Sequence, residues 1–228
     1  MSVMRVSVII PVLNEAELVS RAIDSARDAE EIICADGGSS DGSPRIIAEC
    51  GAQLVAAQRG RGRQLNAAAA AANGDVLLFL HADNWLADDA IAQIRFACRD
   101  ARQALGGFEQ QIEARGAIYR ALERGNAARV RLFGLLYGDQ GLWIRRELFH
   151  RLSGFAPMPL MEDVDLSQRA RRVARPRLLP GPIYISPRRW QQHGVVRQTL
   201  RNWALLSAYH CGAPPERLAG YYPPDGGA

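Results

Sequence analysis

The chain has 228 residues and a mass of 25.0 kDa, with 48% hydrophobic and 23% charged residues, a balance that excludes a disordered chain, a coiled coil and a collagen-like fibre. The length predicts one domain, or at most two small ones. The net charge is +4, from 28 basic and 24 acidic residues, and every basic residue is Arg; that suits phosphate, nucleic acid or an anionic membrane surface without choosing among them.

No apolar run reaches the length of a membrane-spanning helix. Met1 to Leu13 has the apolarity of a weak signal peptide, but Asn14 and Glu15 follow at once without a small-residue cleavage site. Val6 to Val12 is therefore read as a first, buried strand. Asn14 caps a helix running to about Arg27, with Glu17 as its capping-box partner. Glu31 to Ala35 is a second strand. Asp36 to Gly42 is a turn, and Ser43-Pro44 opens a helix to about Cys50. Gln53 to Ala56 is a third strand, and Arg59 to Arg63 a basic Gly-rich loop. Gln64 to Ala72 is a helix stopped by Asn73-Gly74, and Asp75 to Leu80 is a fourth strand. This βαβαβαβ order predicts a mostly parallel central sheet with helices on both faces.

The second half predicts a helix over Ala87 to Arg102, a strand over Gly106 to Ile112 and a helix over Arg115 to Val130. A short strand at Leu142 to Ile144 precedes helices at Arg146 to Leu152 and Glu162 to Arg172. Ile183 to Ile185 is a last strand. Val195 to Tyr209 is an amphipathic helix with Val196, Leu200, Trp203, Leu205 and Leu206 on one face. That face reads as core, while Arg197 and Arg201 beside Trp203 also suit an interfacial helix at a membrane surface. The Pro/Gly-rich tail from Gly220 is expected to fray. Cys34, Cys50, Cys98 and Cys211 make no C-x-x-C pair and no zinc spacing with the four His residues, and read as buried, reduced thiols of a cytoplasmic protein.

Ligands of open α/β sheets bind beyond the carboxyl ends of the strands. The residues there are Pro11, Asn14 and Glu15 after the first strand and Asp36, Gly37 and Gly38 after the second. Arg59, Arg61 and Arg63 follow the third, and His81, Asp83 and Asn84 the fourth. Acids, Arg residues and Gly-rich turns at one edge suit a nucleotide with its phosphates.

These residues also carry a resemblance. Val8-Ile9-Ile10-Pro11-Val12-Leu13-Asn14-Glu15 resembles the opening of family 2 glycosyltransferases, and Asp36-Gly37-Gly38-Ser39-Ser40-Asp41-Gly42-Ser43 their second-strand motif. Leu80-His81-Ala82-Asp83-Asn84 is similar to their metal-binding D-x-D. Glu162-Asp163-Val164-Asp165-Leu166 resembles the E-D motif that supplies the base, and Arg188-Arg189-Trp190 the R-W element near the acceptor. The motifs follow in order over nearly the whole chain, and its small size is similar to a compact bacterial subgroup.

The resemblance implies a GT-A fold and a metal-dependent inverting transfer of sugar from a nucleotide diphosphate sugar, of UDP or GDP type, to an unknown acceptor. It implies donor contacts from Pro11, Asn14, Glu15, Asp36, Gly37, Arg61, Arg63, His81 and Asp83, with Asp83 also holding Mn²⁺ or Mg²⁺. Asp163 is the implied base, Glu162 orients or binds the acceptor, and Arg189 and Trp190 lie near it. The sequence departs from the family pattern at Gly37, at His81 and at Gln64-Leu65-Asn66, where the Arg role of an A-R-N segment passes to Arg63.

Residues 1–84 are read as the nucleotide-binding half, 85–190 as the acceptor and catalytic half, and 191–228 as a C-terminal helical extension, the segment with a possible peripheral contact at the inner membrane face. Asp139 and Gln140 read either as acceptor-facing groups or as a polar turn. Each other residue has a structural rival: Asn14 as a helix cap, Asp36 as a turn residue, the Arg cluster as a solvated loop, His81 as a core histidine, Glu162-Asp163 as first-turn acids. A nucleotidyltransferase would need a Gly-rich, basic first loop, which Pro11 to Glu15 lacks. A catalytically degenerate nucleotide-binding module of the same fold is the other alternative. Nucleic acid is not expected as a partner, because the Arg residues are scattered without an aromatic platform.

Overall fold

A computed structural model describes residues 4–222 of the chain. Its first half is β1 (Val6–Val12), α1 (Val19–Ser25), β2 (Glu31–Asp36), α2 (Ser43–Glu49), β3 (Gln53–Ala56), α3 (Arg61–Ala71) and β4 (Val76–Phe79). The second half adds β5 (Asn84–Leu86), α4 (Ala90–Ala97), β6 (Leu105–Ile112), α5 (Ala117–Phe133), a 3₁₀ turn (Gly138–Gln140), β7 (Leu142–Arg145), α6 (Arg146–Arg151), α7 (Glu162–Ala170) and β8 (Arg177–Ile185). Three helices follow: α8 (Arg188–His193), α9 (Val195–His210) and α10 (Pro215–Ala219).

The strands form one sheet in the order β3-β2-β1-β4-β7-β6-β8-β5. The pairs β1·β2, β1·β4, β2·β3 and β6·β8 are parallel, whereas β7 runs against β4 and β6, and β5 against β8. Alternate β1 residues enter opposite cores, as a strand buried on both faces requires. Val6, Val8, Ile10 and Val12 pack with Ala22, Ile23, Ile91 and Ile94, while Ile9 packs with Ile33, Leu65, Ala68, Leu77 and Phe79. The mostly parallel sheet with covered faces is the one expected. It gathers the ends of β1, β2 and β4 at one edge.

Several expectations need correction. Asn14 does not cap α1: it has a left-handed φ of 55°, and the helix begins at Val19 after a turn. Its Oδ1 accepts the Ser40 N–H at 2.9 Å, tying the first loop to the second. The Arg59–Arg63 loop is largely helical, since α3 starts at Arg61. Gly62 is needed there because a Cβ would come 2.8 Å from the Ala156 carbonyl. The helix expected over Ala87 to Arg102 shrinks to α4, and β5 appears before it. β8 extends six residues upstream of Ile183 through Pro180 and Pro182, on a partner strand whose register shifts between Phe108 and Gln110. Val196, Leu200 and Trp203 are exposed rather than core, while Leu205 is buried and Leu206 half-buried. Cys34 and Cys98 are buried, with the Cys34 thiol pushed up to about 12 by burial, but Cys50 is half-buried and Cys211 exposed. The tail expected to fray lies mostly outside the described residues. Among the described residues, no helix is long and apolar enough to cross a membrane.

Candidate functional site

A cavity of about 530 Å³ opens where β1 and β4 end. Pro11, Leu13 and Glu15 follow or end β1, and His81, Ala82 and Asp83 follow β4. The first turn of α3 contributes Arg61 and Gln64, with Arg59 just before it. Tyr137 and Asp139 come from the 3₁₀ turn, and Asp163 from the first turn of α7. Ser186, Arg189 and Trp190 follow β8, and the inner face of α9 closes the far side. Of the residues expected at the sheet edge, the cavity brings together Pro11, Glu15, Arg59, Arg61, His81, Asp83 and Asn84, and it adds Asp163, Arg189 and Trp190 from the resemblance together with Asp139.

Asp163 is tightly fixed. Its Oδ2 accepts the Gly138 N–H at 2.6 Å and its Oδ1 the Val164 N–H at 2.8 Å. Gly138 is wedged between two site residues: a Cβ there would lie 2.8 Å from His81 Nε2 and 3.0 Å from Asp163 Oδ2. Burial depresses the His81 pKa, and the positive charge of Arg61 adds to the effect, outweighing the opposing carboxylates Asp83, Asp139 and Asp163. Arg61 stays firmly charged despite burial, because Glu162, Asp163 and Asp139 surround it. Its Nε donates to Glu162 Oε1, while its side chain keeps 32% exposure toward the cavity. Glu15 receives both terminal nitrogens of Arg188, at 3.0 and 3.2 Å.

Other candidates sit elsewhere. Glu162 is 1% exposed and lies behind Arg61, off the wall of the main cavity. Arg63 is exposed and reaches Gln58 at 3.4 Å, so Arg59 and Arg61 are the cavity arginines. Asp36 spends its carboxylate on the Gly38 and Ser39 N–H groups, and neither it nor Gly37 lines the cavity. Gln64 occupies the space beside them: its Nε2 donates to the Val12 and Ala35 carbonyls at 2.8 and 2.9 Å, clamping β1 to β2. A Cβ on Gly37 would come 3.0 Å from that amide. Gln140 is fully buried and accepts from Arg129 at 2.7 Å, so it supports the 3₁₀ turn. Arg189 lies over the Tyr222 ring, not over Trp190, whose ring meets Tyr119 edge-on.

Sequence reasoning missed Gln64, Tyr137 and the inner face of α9. Gln198, Asn202, Leu205 and Leu206 share that face at helical spacing, a signal visible in the sequence. Two polar members made it look less apolar than the outward stripe.

A divalent cation has suitable oxygen donors here: Asp83 lines the cavity, and Asp139 Oδ1 is buried with no partner among the described residues. No group of three or more His, Cys, Asp or Glu side chains is arranged to hold a metal among the described residues. A bound cation would therefore share its coordination with a ligand's oxygens and water.

With this geometry, the comparisons with known proteins define the class. Residues 7–158 match the profile of Glycosyl transferase family 2, two thirds of the chain, and the chain belongs to that family. The Glu162-Asp163 and Arg189-Trp190 motifs lie beyond the match. An uncharacterised glycosyltransferase of Nostoc sp. is 38% identical over 92 residues, 36% of this chain and 29% of that protein. A TPR repeat-containing protein of Synechococcus elongatus is 38% identical over 94 residues, 40% of this chain and 23% of that protein. The chain thus spans less than a third of either relative's length. Among solved structures, S. aureus TarS 1-349 has a TM-score of 0.65 at 17% identity, over 81% of this chain and 61% of that one. Glucosyl-3-phosphoglycerate synthase from Mycobacterium tuberculosis has a TM-score of 0.55 at 20% identity, over 80% and 70%. The fold is the GT-A fold of these proteins.

Proposed function

We propose that the chain transfers a sugar from a nucleotide diphosphate sugar to an acceptor hydroxyl, with inversion at the anomeric carbon. One observation carries the reading: Asp83, Asp139 and Asp163 share a single cavity with Arg61, at the ends of β1 and β4. Family membership supports it, as do the fold neighbours. TarS was crystallised with UDP and with UDP-GlcNAc. The mycobacterial synthase was crystallised with UDP and either Mn²⁺ or Mg²⁺.

In this reading Pro11, Glu15, Asp83 and His81 border the nucleotide. His81 reaches the same space from the end of β4. Arg61, anchored through Nε to Glu162, offers its terminal nitrogens to the diphosphate, with Arg59 at the mouth. Asp83, with Asp139 lining the same cavity, would hold Mn²⁺ or Mg²⁺, which when bound neutralises charge on the departing diphosphate. Asp163 takes the proton of the acceptor hydroxyl, whose oxygen forms a bond to the anomeric carbon. The bond from that carbon to the diphosphate oxygen breaks, and its electron pair leaves with the nucleoside diphosphate. Residues 1–84 then serve the donor, 85–190 the acceptor and the chemistry, and the extension from 191 completes the far wall. Unpaired cysteines and a nucleotide-sugar donor suit a reducing, cytoplasmic setting.

Calorimetric titration of UDP, GDP and related diphosphates, with and without Mn²⁺, tests the reading. One diphosphate binding in a metal-dependent way is expected, and no binding of any under either condition overturns it. Asp163→Asn should keep that binding and lose about 10²–10⁴-fold in turnover, the usual span for a general base.

A further inference from the structure

Leu160, Met161, Val164, Leu205, Leu206 and Tyr222 line the cavity together. Leu160, Met161, Val164 and Leu205 belong to a third apolar cluster separate from the two cores of the sheet, with Leu206 and Tyr222 packed against it. This cluster is built around the start of α7. Met161 immediately precedes the Glu162-Asp163 pair in a left-handed conformation, φ 69°, so the apolar wall and the base share one turn of chain.

Of the polar side chains that α9 turns to this wall, Gln198 is engaged at both ends of its amide. Gln198 Nε2 donates to Asn202 Oδ1 at 3.0 Å, and Gln198 Oε1 accepts from Arg201 at 2.7 Å. Leu160, Met161, Val164, Leu205 and Leu206 offer hydroxyl groups no partner, whereas an apolar body laid against them gains by leaving water.

Resting on the proposed sugar transfer, we infer that the acceptor is a lipophilic alcohol, with its reacting hydroxyl toward Asp163 and its apolar body against Leu160, Met161, Val164, Leu205, Leu206 and Tyr222. The step is the one already balanced: the alcohol's O–H proton goes to Asp163, its oxygen bonds the anomeric carbon, and the nucleoside diphosphate leaves. Such an alcohol comes either from solution or from a bilayer. The outer face of α9 makes the second source testable, because Val196, Leu200 and Trp203 recur at helical spacing and are 60%, 57% and 59% exposed.

The test uses the full chain with Mn²⁺ and the diphosphate that binds it, and geraniol as the lipophilic probe against glucose as the polar one, followed by calorimetry. Saturable geraniol binding is expected, with glucose not binding. Leu206→Asn, at a half-buried position that tolerates a polar residue, should weaken geraniol about tenfold and leave diphosphate binding unchanged. The double variant Leu200→Ser/Trp203→Ser, on the outer face, should leave both unchanged. Diphosphate binding without geraniol binding, or geraniol binding insensitive to Leu206→Asn, overturns the inference and leaves sugar transfer standing. Absence of all diphosphate binding overturns both. Flotation of the wild-type chain, but not of the outer-face variant, with phosphatidylglycerol vesicles assigns the alcohol to a bilayer; failure to float assigns it to solution.

Discussion

Replacing Glu162 by Gln removes the negative charge behind Arg61 and keeps the side chain's shape. Glu162 is 1% exposed and Arg61 32% exposed. Breaking a fully buried pair costs about 3–5 kcal/mol, because the surviving charge is stranded. Here Asp163 and Asp139 also act on Arg61, and cavity water reaches about a third of it, so the expected cost falls to about 2 kcal/mol. At roughly 2–4 °C per kcal/mol for a chain of this length, Tm drops by about 4–8 °C. Arg61→Met should cost more, about 3–5 kcal/mol, because it strands a buried carboxylate whose Oε2 has no partner among the described residues. Urea unfolding of both single variants and the double variant gives the coupling, expected at roughly 1–3 kcal/mol, with the double variant less damaged than the sum. A Glu162→Gln loss below about 0.5 kcal/mol, or simple additivity, would refute the view that this pair joins α3 to α7.

Gly138→Ala pushes a methyl group between His81 Nε2 and Asp163 Oδ2; the fold should survive, and kcat with an identified donor and acceptor should fall at least about tenfold through displacement of Asp163, the proposed base. Gly37→Ala crowds the Gln64 amide off the Val12 and Ala35 carbonyls and should cost about 1–3 kcal/mol in urea unfolding, with a smaller cost in a Gln64→Ala background. Partial burial pushes the Glu31 carboxyl up, but hydrogen bonds from Ser7, Asn73 and Gly74 outweigh it and hold the group below its ordinary value of 4.5. Its stabilisation is complete above that value and is lost as pH falls through the depressed one. Glu31→Gln should therefore lower the urea midpoint at pH 7, with the gap to the parent closing in acid.

The parallel half of the sheet was legible because β1, β2 and β4 are apolar runs bounded by polar or Gly-containing turns. β8 was mostly hidden, since Pro180 and Pro182 are poor strand residues: the pairing with β6 skips them through a register shift, and Gln93 holds the N–H and carbonyl of Gly181 between them. β5 was hidden for a related reason: Asn84-Trp85-Leu86 is short, and its partner β8 lies about a hundred residues away. The site followed from the rule that ligands gather beyond strand ends, which found Asp83 and His81. The rule cannot tell whether a polar group faces the cavity or holds the loops, as Asp36 does within its own loop and Asn14 between the first loop and the second. Nor could local sequence show that Arg61 belongs to a helix and meets Glu162, because Gly60 and Gly62 argue for a loop and the partner is distant. On α9 both faces carry apolar residues, so amphipathicity alone could not say which one turns inward.

The apolar wall of the cavity lies on its own stretch of the chain. Its residues, from Leu160 to Tyr222, all come after the stretch at 7–158 that matches the family, which contains the strand ends, Arg61 and Asp83. In the proposed reading, the diphosphate contacts at Arg61 and Asp83 and the apolar acceptor wall thus sit on separate lengths of one chain. Exchange of the later length for another would give the same donor machinery a new clientele, without redrawing a single residue of β1 to β4.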